Sequence, residues 1–189
     1  MLNPEKLIAS ATRIYGERME SLWGEFLPVP QSQLTVLNDA EEIVIGNLRF
    51  IPINTPGHAE HHYSYLFEDI LFSGDVGGVR IPGYPYLRVP MPPPELHIER
   101  WHESIARLRR EKFARIAPTH FGLFDDPGWQ LDEVEKGLDS ASRWLEETMP
   151  SDPPIEELRG RFSVWMAAGG AKMGLHAEAV KEFRLSMGK

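Results

Sequence analysis

Histidine and aspartate are placed in this sequence as they would be to hold metal ions at the edge of a β-sheet. Thr55-Pro56-Gly57-His58 is a tight turn that presents one imidazole, and two more follow at His61 and His62. An alternating run, Tyr63 to Phe67, and a polar corner at Glu68-Asp69 lead into the apolar run Ile70 to Phe72, which ends in Ser73-Gly74-Asp75. A further imidazole, His120, comes just past another apolar run, in Pro118-Thr119-His120. Asp75 lies 17 residues after His58 and 45 before His120. Neutral imidazole and carboxylate are ligands that zinc, iron and manganese accept. A carboxylate between two such ions can bridge them and hold them about 3.5–4 Å apart, and the pair lowers the pKa of a bound water towards neutrality.

The order TPGH, then SGD, then PTHFG resembles the last three metal-ligand motifs of the metallo-β-lactamase superfamily of hydrolases, over roughly Asn3 to Phe124. The resemblance implies that His58 serves one metal, His120 a second, and that Asp75 bridges them. It implies zinc, two ions per complete site, with iron or manganese as substitutes, and a metal-activated hydroxide that attacks an ester, thioester, lactone or phosphodiester. An Asp at 75, where some lactamases carry Cys, looks more like the glyoxalase II, lactonase and RNA-processing branches. The family's H-x-H-x-D-H motif should lie upstream of TPGH. The seven histidines are at 58, 61, 62, 97, 102, 120 and 176, so no such motif occurs in these 189 residues. The sequence therefore looks like the C-terminal half of such an enzyme. Each metal would keep one private His and a shared Asp, fewer than the three protein ligands of an ordinary catalytic zinc.

His61 and His62 enter a strand side by side and should point to opposite faces. At most one faces the site, as a ligand or as a partner that orients the ligands. Asp125 follows His120 closely and is a candidate for the same supporting role. His97, His102 and His176 fall on expected helices and read as surface or packing residues. Asp69 and Asp126 sit at turns, where Asp bonds locally.

The elements that must position these groups can be read from hydrophobic period and turn chemistry. Asn3-Pro4-Glu5 starts a helix expected over residues 4–23, with Leu7, Ile8, Ala11, Ile14, Tyr15, Met19, Leu22 and Trp23 on one face and Gly24 ending it. That face must pack on something, and the strands that follow are the nearest partner. Leu27 to Pro30 is an extended linker, and Thr35-Val36-Leu37 a short strand. Glu42 to Ile45 and Leu48 to Ile53 form a hairpin about Gly46-Asn47. Residues 62–67 and 70–73 form a second. Residues 80–94 hold six prolines and two tyrosines, and must be a loop near the site. It either walls a substrate pocket or merely covers the surface. A helix runs from Pro94-Glu95 to about Lys112, and the strand Phe113 to Ala117 delivers His120. A long helix carries Leu131, Val134, Leu138, Ala141, Leu145 and Met149. Pro150 to Pro154 break it, and residues 155–187 read as two helices jointed at Gly169-Gly170, the second with Leu175, Ala179, Val180 and Phe183.

The expected fold is α+β, the C-terminal half of a metallo-β-lactamase-like αββα sandwich over residues 1–126, with a helical C-terminal extension over 127–189. Half a sandwich would expose an inner sheet face and an unpaired edge. A partner is therefore expected, either the missing N-terminal half or a second copy, with a small-molecule substrate once the site is completed. Net charge is −8 and pI about 5.4, which argues against a general nucleic-acid binder. Arg107, Arg109, Arg110, Lys112 and Arg115 read as the solvated end of a helix. There is no cysteine, so disulfides and thiolate sites are excluded. No apolar run reaches the ~20 residues of a membrane span. Residues 1–6 resemble neither a signal nor a transit peptide, and a cytoplasmic protein is the default expectation. The competing reading is a non-catalytic binding or assembly module that keeps the half-fold without a complete site. An iron-based redox protein would need a flavin partner that nothing here supplies.

Overall fold

The computed structural model describes residues 2–80, 82–91, 95–120 and 122–172. It divides into two compact units, Met1–Asn38 and Asp39–Lys189. The expected second helix after residue 172, with His176, and Phe121 of the PTHFG segment lie outside the described residues.

In the first unit, Asn3 Oδ1 accepts a hydrogen bond from Glu5 N at 2.9 Å and opens helix α1, Glu5–Tyr15. The single helix expected to Trp23 is interrupted. Gly16 takes φ +55, a 3₁₀ turn covers Gly16–Arg18, and α2 resumes over Met19–Trp23. A glycine that can turn left-handed ends a helix that side-chain period alone would continue. Tyr15 and Trp23 meet edge to face across the break, ring centres 5.5 Å apart. Thr35 to Leu37 form no strand, and Val36 is 81 % exposed, with no apolar partner to make β-structure worthwhile.

The second unit is built on a five-stranded sheet in the order β1-β2-β3-β4-β7: β1 Ile43–Ile45, β2 Leu48–Asn54, β3 Tyr63–Phe67, β4 Ile70–Gly74 and β7 Arg115–Pro118. Both expected hairpins form. Ile45 pairs with Leu48 across Gly46-Asn47, and Phe67 with Ile70 across Glu68-Asp69. Gly46 and Glu68 supply the positive φ that such tight turns need, +62 and +52. β7 joins β4 in parallel, Leu71 opposite Ile116, after a crossover through helix α3, Ile98–Leu108.

The proline-rich segment is not wholly irregular. Val79–Arg80 (β5) pairs antiparallel with Leu87–Arg88 (β6), two residues each. The ribbon places its prolines outside the paired residues, where no ladder N–H is required. The expected break at Pro150 to Pro154 separates α4, Pro127–Thr148, from α5, Ile155–Lys172. Gly169-Gly170 is no joint, for α5 runs through it. Glycine costs a helix about 1 kcal/mol against alanine and does not by itself end one.

Register divides the sheet into two unlike faces. Ile53, Ser64, Leu71 and Ile116 share one face, where Trp101, Ile105 and Leu108 of α3 and Leu131, Val134 and Leu138 of α4 complete a fully buried cluster. The long helix expected to open an extension thus contributes to the core. Phe50, Pro52, Tyr65, Phe67 and Phe72 share the other face. It is also apolar, with Phe50 and Phe67 stacked at 5.0 Å, and Ile45, Leu48 and Phe72 on it are 62 %, 47 % and 41 % exposed. Three arginines of the basic cluster are paired: Arg107 with Asp39, Arg109 with Asp132 and Glu135, Arg115 with Asp69. Among the described residues no helix is long and apolar enough to cross a membrane.

Candidate metal-binding edge

Topology brings Asp75 and His120 together. β4 and β7 are parallel neighbours, so their C-terminal ends lie side by side, with Gly74 opposite Pro118 and Thr119 N 3.4 Å from Gly74 O. Ligands gather at the carboxyl ends of parallel strands for this reason. Gly74 turns the chain out of β4 at φ +58, and Asp75 begins a 3₁₀ turn closed by Gly78 N to Asp75 O at 3.0 Å. Two buried side chains hold that turn from below. Trp101 Nε1 donates to Val76 O at 3.0 Å, and Gln130 Nε2 donates to Gly77 O at 2.7 Å.

His58 is delivered by the turn after β2, and α3 fixes that turn. His97 N donates to Gly57 O at 2.8 Å, Ser104 Oγ to Pro56 O at 2.6 Å, and Arg107 Nη1 to Asn54 O at 3.3 Å. Residues 97, 101, 104 and 107 follow helical spacing, so one stripe of α3 grips the segments that carry both His58 and Asp75. The approach is close enough to require glycine at 57. A Cβ there would lie 2.5 Å from the Cβ of Trp101, and the φ of +137 is one that side chains rarely adopt.

His58 Nε2 lies 3.4 Å from Asp75 Oδ2, and His120 Nε2 lies 3.4 Å from Asp75 Oδ1. His58 Nδ1 is 3.0 Å from the carbonyl of Pro90, which can only accept, so Nδ1 carries a proton and Nε2 is the ring nitrogen that faces Asp75. The proline-rich segment thus orients a site residue. The separation of 3.4 Å is long for an N–H···O hydrogen bond. Two donors each about 2.1 Å from a tetrahedral ion stand about 3.4 Å apart, so either edge suits a shared ion. Among the described residues no group of three or more His, Asp or Glu side chains gathers to hold one ion. Each histidine makes with Asp75 a pair of donors, and the two pairs share that carboxylate.

His62 is half-buried. Burial, with the neighbouring His58 adding to it and Asp75 opposing, pushes its pKa down to about 4. Its Nδ1 is 2.9 Å from Thr55 Oγ1, and its ring stands edge to face with His58 at 6.0 Å. His61 lies in the turn before β3, where strand alternation does not apply, and is well exposed and 3.5 Å from Glu95. Asp125 follows Phe124, which bridges to Ile116, and its charge bears on Arg115 at the opposite end of β7 from His120. His97 precedes α3, and His102 Nε2 lies 3.3 Å from Asp139 on α4. Asp126 pairs with Arg80, whose guanidinium sits between the rings of Phe124 and Trp129. Trp101, Ser104 and Gln130 gave no sign of a site role in the sequence beyond an apolar helical period, because their partners lie 25 to 53 residues away.

No family model matches the chain. It is 32 % identical over 119 residues to the metallo-β-lactamase fold-containing protein ST1585 of Sulfurisphaera tokodaii, across 63 % of this chain and 44 % of that protein. The crystal structure of ST1585, described as an archaeal metallo-β-lactamase superfamily protein, superposes with a TM-score of 0.59 at 30 % identity, covering 70 % of this chain and 50 % of that one. The metallo-β-lactamase family protein TTHA1429 from Thermus thermophilus shares the fold, with a TM-score of 0.50 at 18 % identity over 77 % of this chain and 49 % of its own. The mixed sheet with helices packed on one face is thus a metallo-β-lactamase-like arrangement. The chain is similar over part of its length to these metallo-β-lactamase superfamily proteins and shares their fold, and it spans less than half the length of the curated relative it matches.

Proposed function

We propose that this chain supplies one side of a two-metal hydrolase centre, with His58 for one ion, His120 for the other and Asp75 for both. The observation that carries the reading is that the two oxygens of Asp75 face different imidazoles at the same 3.4 Å. When bound, such a pair of ions, zinc or in its place iron or manganese, polarises an ester, thioester, lactone or phosphodiester and lowers the pKa of water beside it. The chain's own residues orient the donors. Pro90 O sets the tautomer of His58, Trp101 and Gln130 hold the turn of Asp75, and β7 fixes His120 beside it. Two protein donors per ion fall short of three, so the remaining donors come from outside the described residues.

Zinc binding measured by competition with a chromophoric chelator tests this. The expected result is weak uptake of up to two ions, lost in Asp75→Ala and reduced to one ion in His58→Ala or His120→Ala. Uptake unchanged by Asp75→Ala would overturn the reading. The low donor count favours a second reading, a binding or assembly module without catalysis. Hydrolysis of an aryl ester or lactone that disappears in Asp75→Ala would remove that alternative.

A further inference from the structure

Arg80 comes five residues after Asp75, at the end of the segment that carries the Asp75 turn away from the sheet. Its side chain is only 15 % exposed. Nη1 and Nη2 donate to the two carboxylate oxygens of Asp126 at 2.5 and 2.9 Å, the paired geometry that suits a guanidinium fork. The rings of Phe124 and Trp129 lie against the same group, their centres 4.3 and 4.2 Å from Cζ. Nη1 also donates to Gln130 Oε1 at 3.3 Å, and Gln130 Nε2 donates to Gly77 O at 2.7 Å. Chemistry assigns both ends of that buried amide. A guanidinium can only donate and a carbonyl can only accept, so a flipped amide would make neither bond.

The segments joined in this way are the ones that leave two of the donors. Gly77 belongs to the turn that Asp75 begins. Phe124 and Asp126 come four and six residues after His120, and Phe124 exchanges two backbone hydrogen bonds of 2.9 Å with Ile116 of β7. Strand pairing is loosest where it reaches the donors. The β4–β7 register shifts between Phe72 and Gly74, and the bond from Thr119 N to Gly74 O is stretched to 3.4 Å. Arg80 adds a second tie across that gap. Asp126 is 48 % exposed, and ion pairs open to solvent add little to stability, so the tie fixes geometry more than it stabilises the fold. His58 is held differently, by α3 and Pro90 O, and Trp101 joins its ring to the Asp75 turn without Arg80.

We propose that Arg80 is a positioning residue that sets the separation of Asp75 from His120, acting through Gln130 on the Asp75 turn and through Phe124 and Asp126 on the segment after His120. The inference rests on the reading of these residues as metal donors and deepens it. Arg80 serves the ion between Asp75 and His120, and α3 serves the ion between His58 and Asp75.

Zinc titration of the ¹⁵N-labelled full chain, followed at the ring resonances of His58 and His120, reads the two ions separately. Arg80→Met keeps an apolar body against the rings and removes every donor. It should weaken zinc at His120 about tenfold or more and leave zinc at His58 within about threefold. Amide hydrogen exchange without metal gives a second readout. In Arg80→Met the amides of Gly78 and Phe124, bonded to Asp75 O and Ile116 O, should exchange about tenfold faster or more, while that of His97, bonded to Gly57 O in the His58 turn, is unchanged. Asp126→Asn alters a half-exposed side chain, should give the same pattern more weakly, and decides the matter where Arg80→Met folds poorly. Equal weakening at both histidines, exchange raised alike at all three amides, or no effect would each overturn the proposal. A wild-type chain that takes up no zinc at either histidine would remove the metal reading alone, and the exchange pattern would still decide whether Arg80 ties the two segments.

Discussion

At the scale of single residues, the centre depends on which nitrogen of each imidazole holds a proton. Pro90 O sets the proton of His58 on Nδ1, and Thr55 Oγ1 lies 2.9 Å from Nδ1 of His62. His58, Asp75 and His120 were legible in the sequence because their motifs are contiguous and each sits at a strand end. The partners that orient them were not, because a carbonyl 32 residues away leaves no mark in residue type. The depressed pKa of His62 has a consequence for stability. Its folded value of about 4 lies below the ordinary 6.5, so the unfolded chain takes up the proton first as pH falls. The contribution is complete above about pH 6.5 and is lost between there and about pH 4, to a limit of roughly 3 kcal/mol. Urea unfolding at pH 7 and pH 4.5 should show this loss, and His62→Gln should remove much of the pH dependence. An unchanged slope in the variant would assign the loss to other groups.

At the scale of elements, helix α3 does most of the positioning. Its apolar period predicted a buried face, and Trp101, Ile105 and Leu108 form it. The hydrogen bonds from that same face could not be foreseen, since they depend on β4 and β7 pairing in parallel and carrying the 75–77 turn beneath the helix. Trp101 serves two segments at once, packing against Gly57 and His58 and bonding Val76 O. Trp101→Phe keeps an aromatic body but leaves a buried carbonyl without its donor. It should cost about 2–3 kcal/mol in chemical denaturation and weaken zinc uptake while far-UV dichroism stays native. Gly57→Ala forces a methyl group onto the backbone of α3 at a φ that alanine resists. The expected loss is about 3 kcal/mol or more, read as a lower denaturant midpoint. Local period also misplaced breaks. Gly16 ended α1 early while Gly169-Gly170 left α5 intact, because a glycine ends a helix only where a left-handed residue is rewarded by capping bonds. Gly16 N bonds Thr12 O in this way.

At the scale of the whole molecule, the sheet of the second unit has two apolar faces and only one of them is occupied by α3 and α4. Alternation predicts one buried and one polar face for a sheet that meets water on one side. Here Phe50, Pro52, Tyr65, Phe67 and Phe72 lie opposite the helices, with Ile45 and Leu48 continuing the surface to the edge strand. Such a face is the pattern of a sheet meant to pack on a second sheet, about 10 Å away. The centre proposed at the rim of the same sheet, with two donors for each ion, has the same need. The expectation is that the isolated chain self-associates through this face or binds a hydrophobic dye strongly. Sedimentation velocity across a concentration series measures the first and dye fluorescence the second. Ile45→Lys with Phe72→Glu places charge on two side chains already open to solvent, so it should shift stability by only about 0.5 kcal/mol while driving the protein to monomer and lowering dye binding. A wild-type chain that sediments as a dye-silent monomer at all concentrations would mean that this face is already satisfied, and the search for the remaining metal donors would turn from a docked partner to the chain's own undescribed residues.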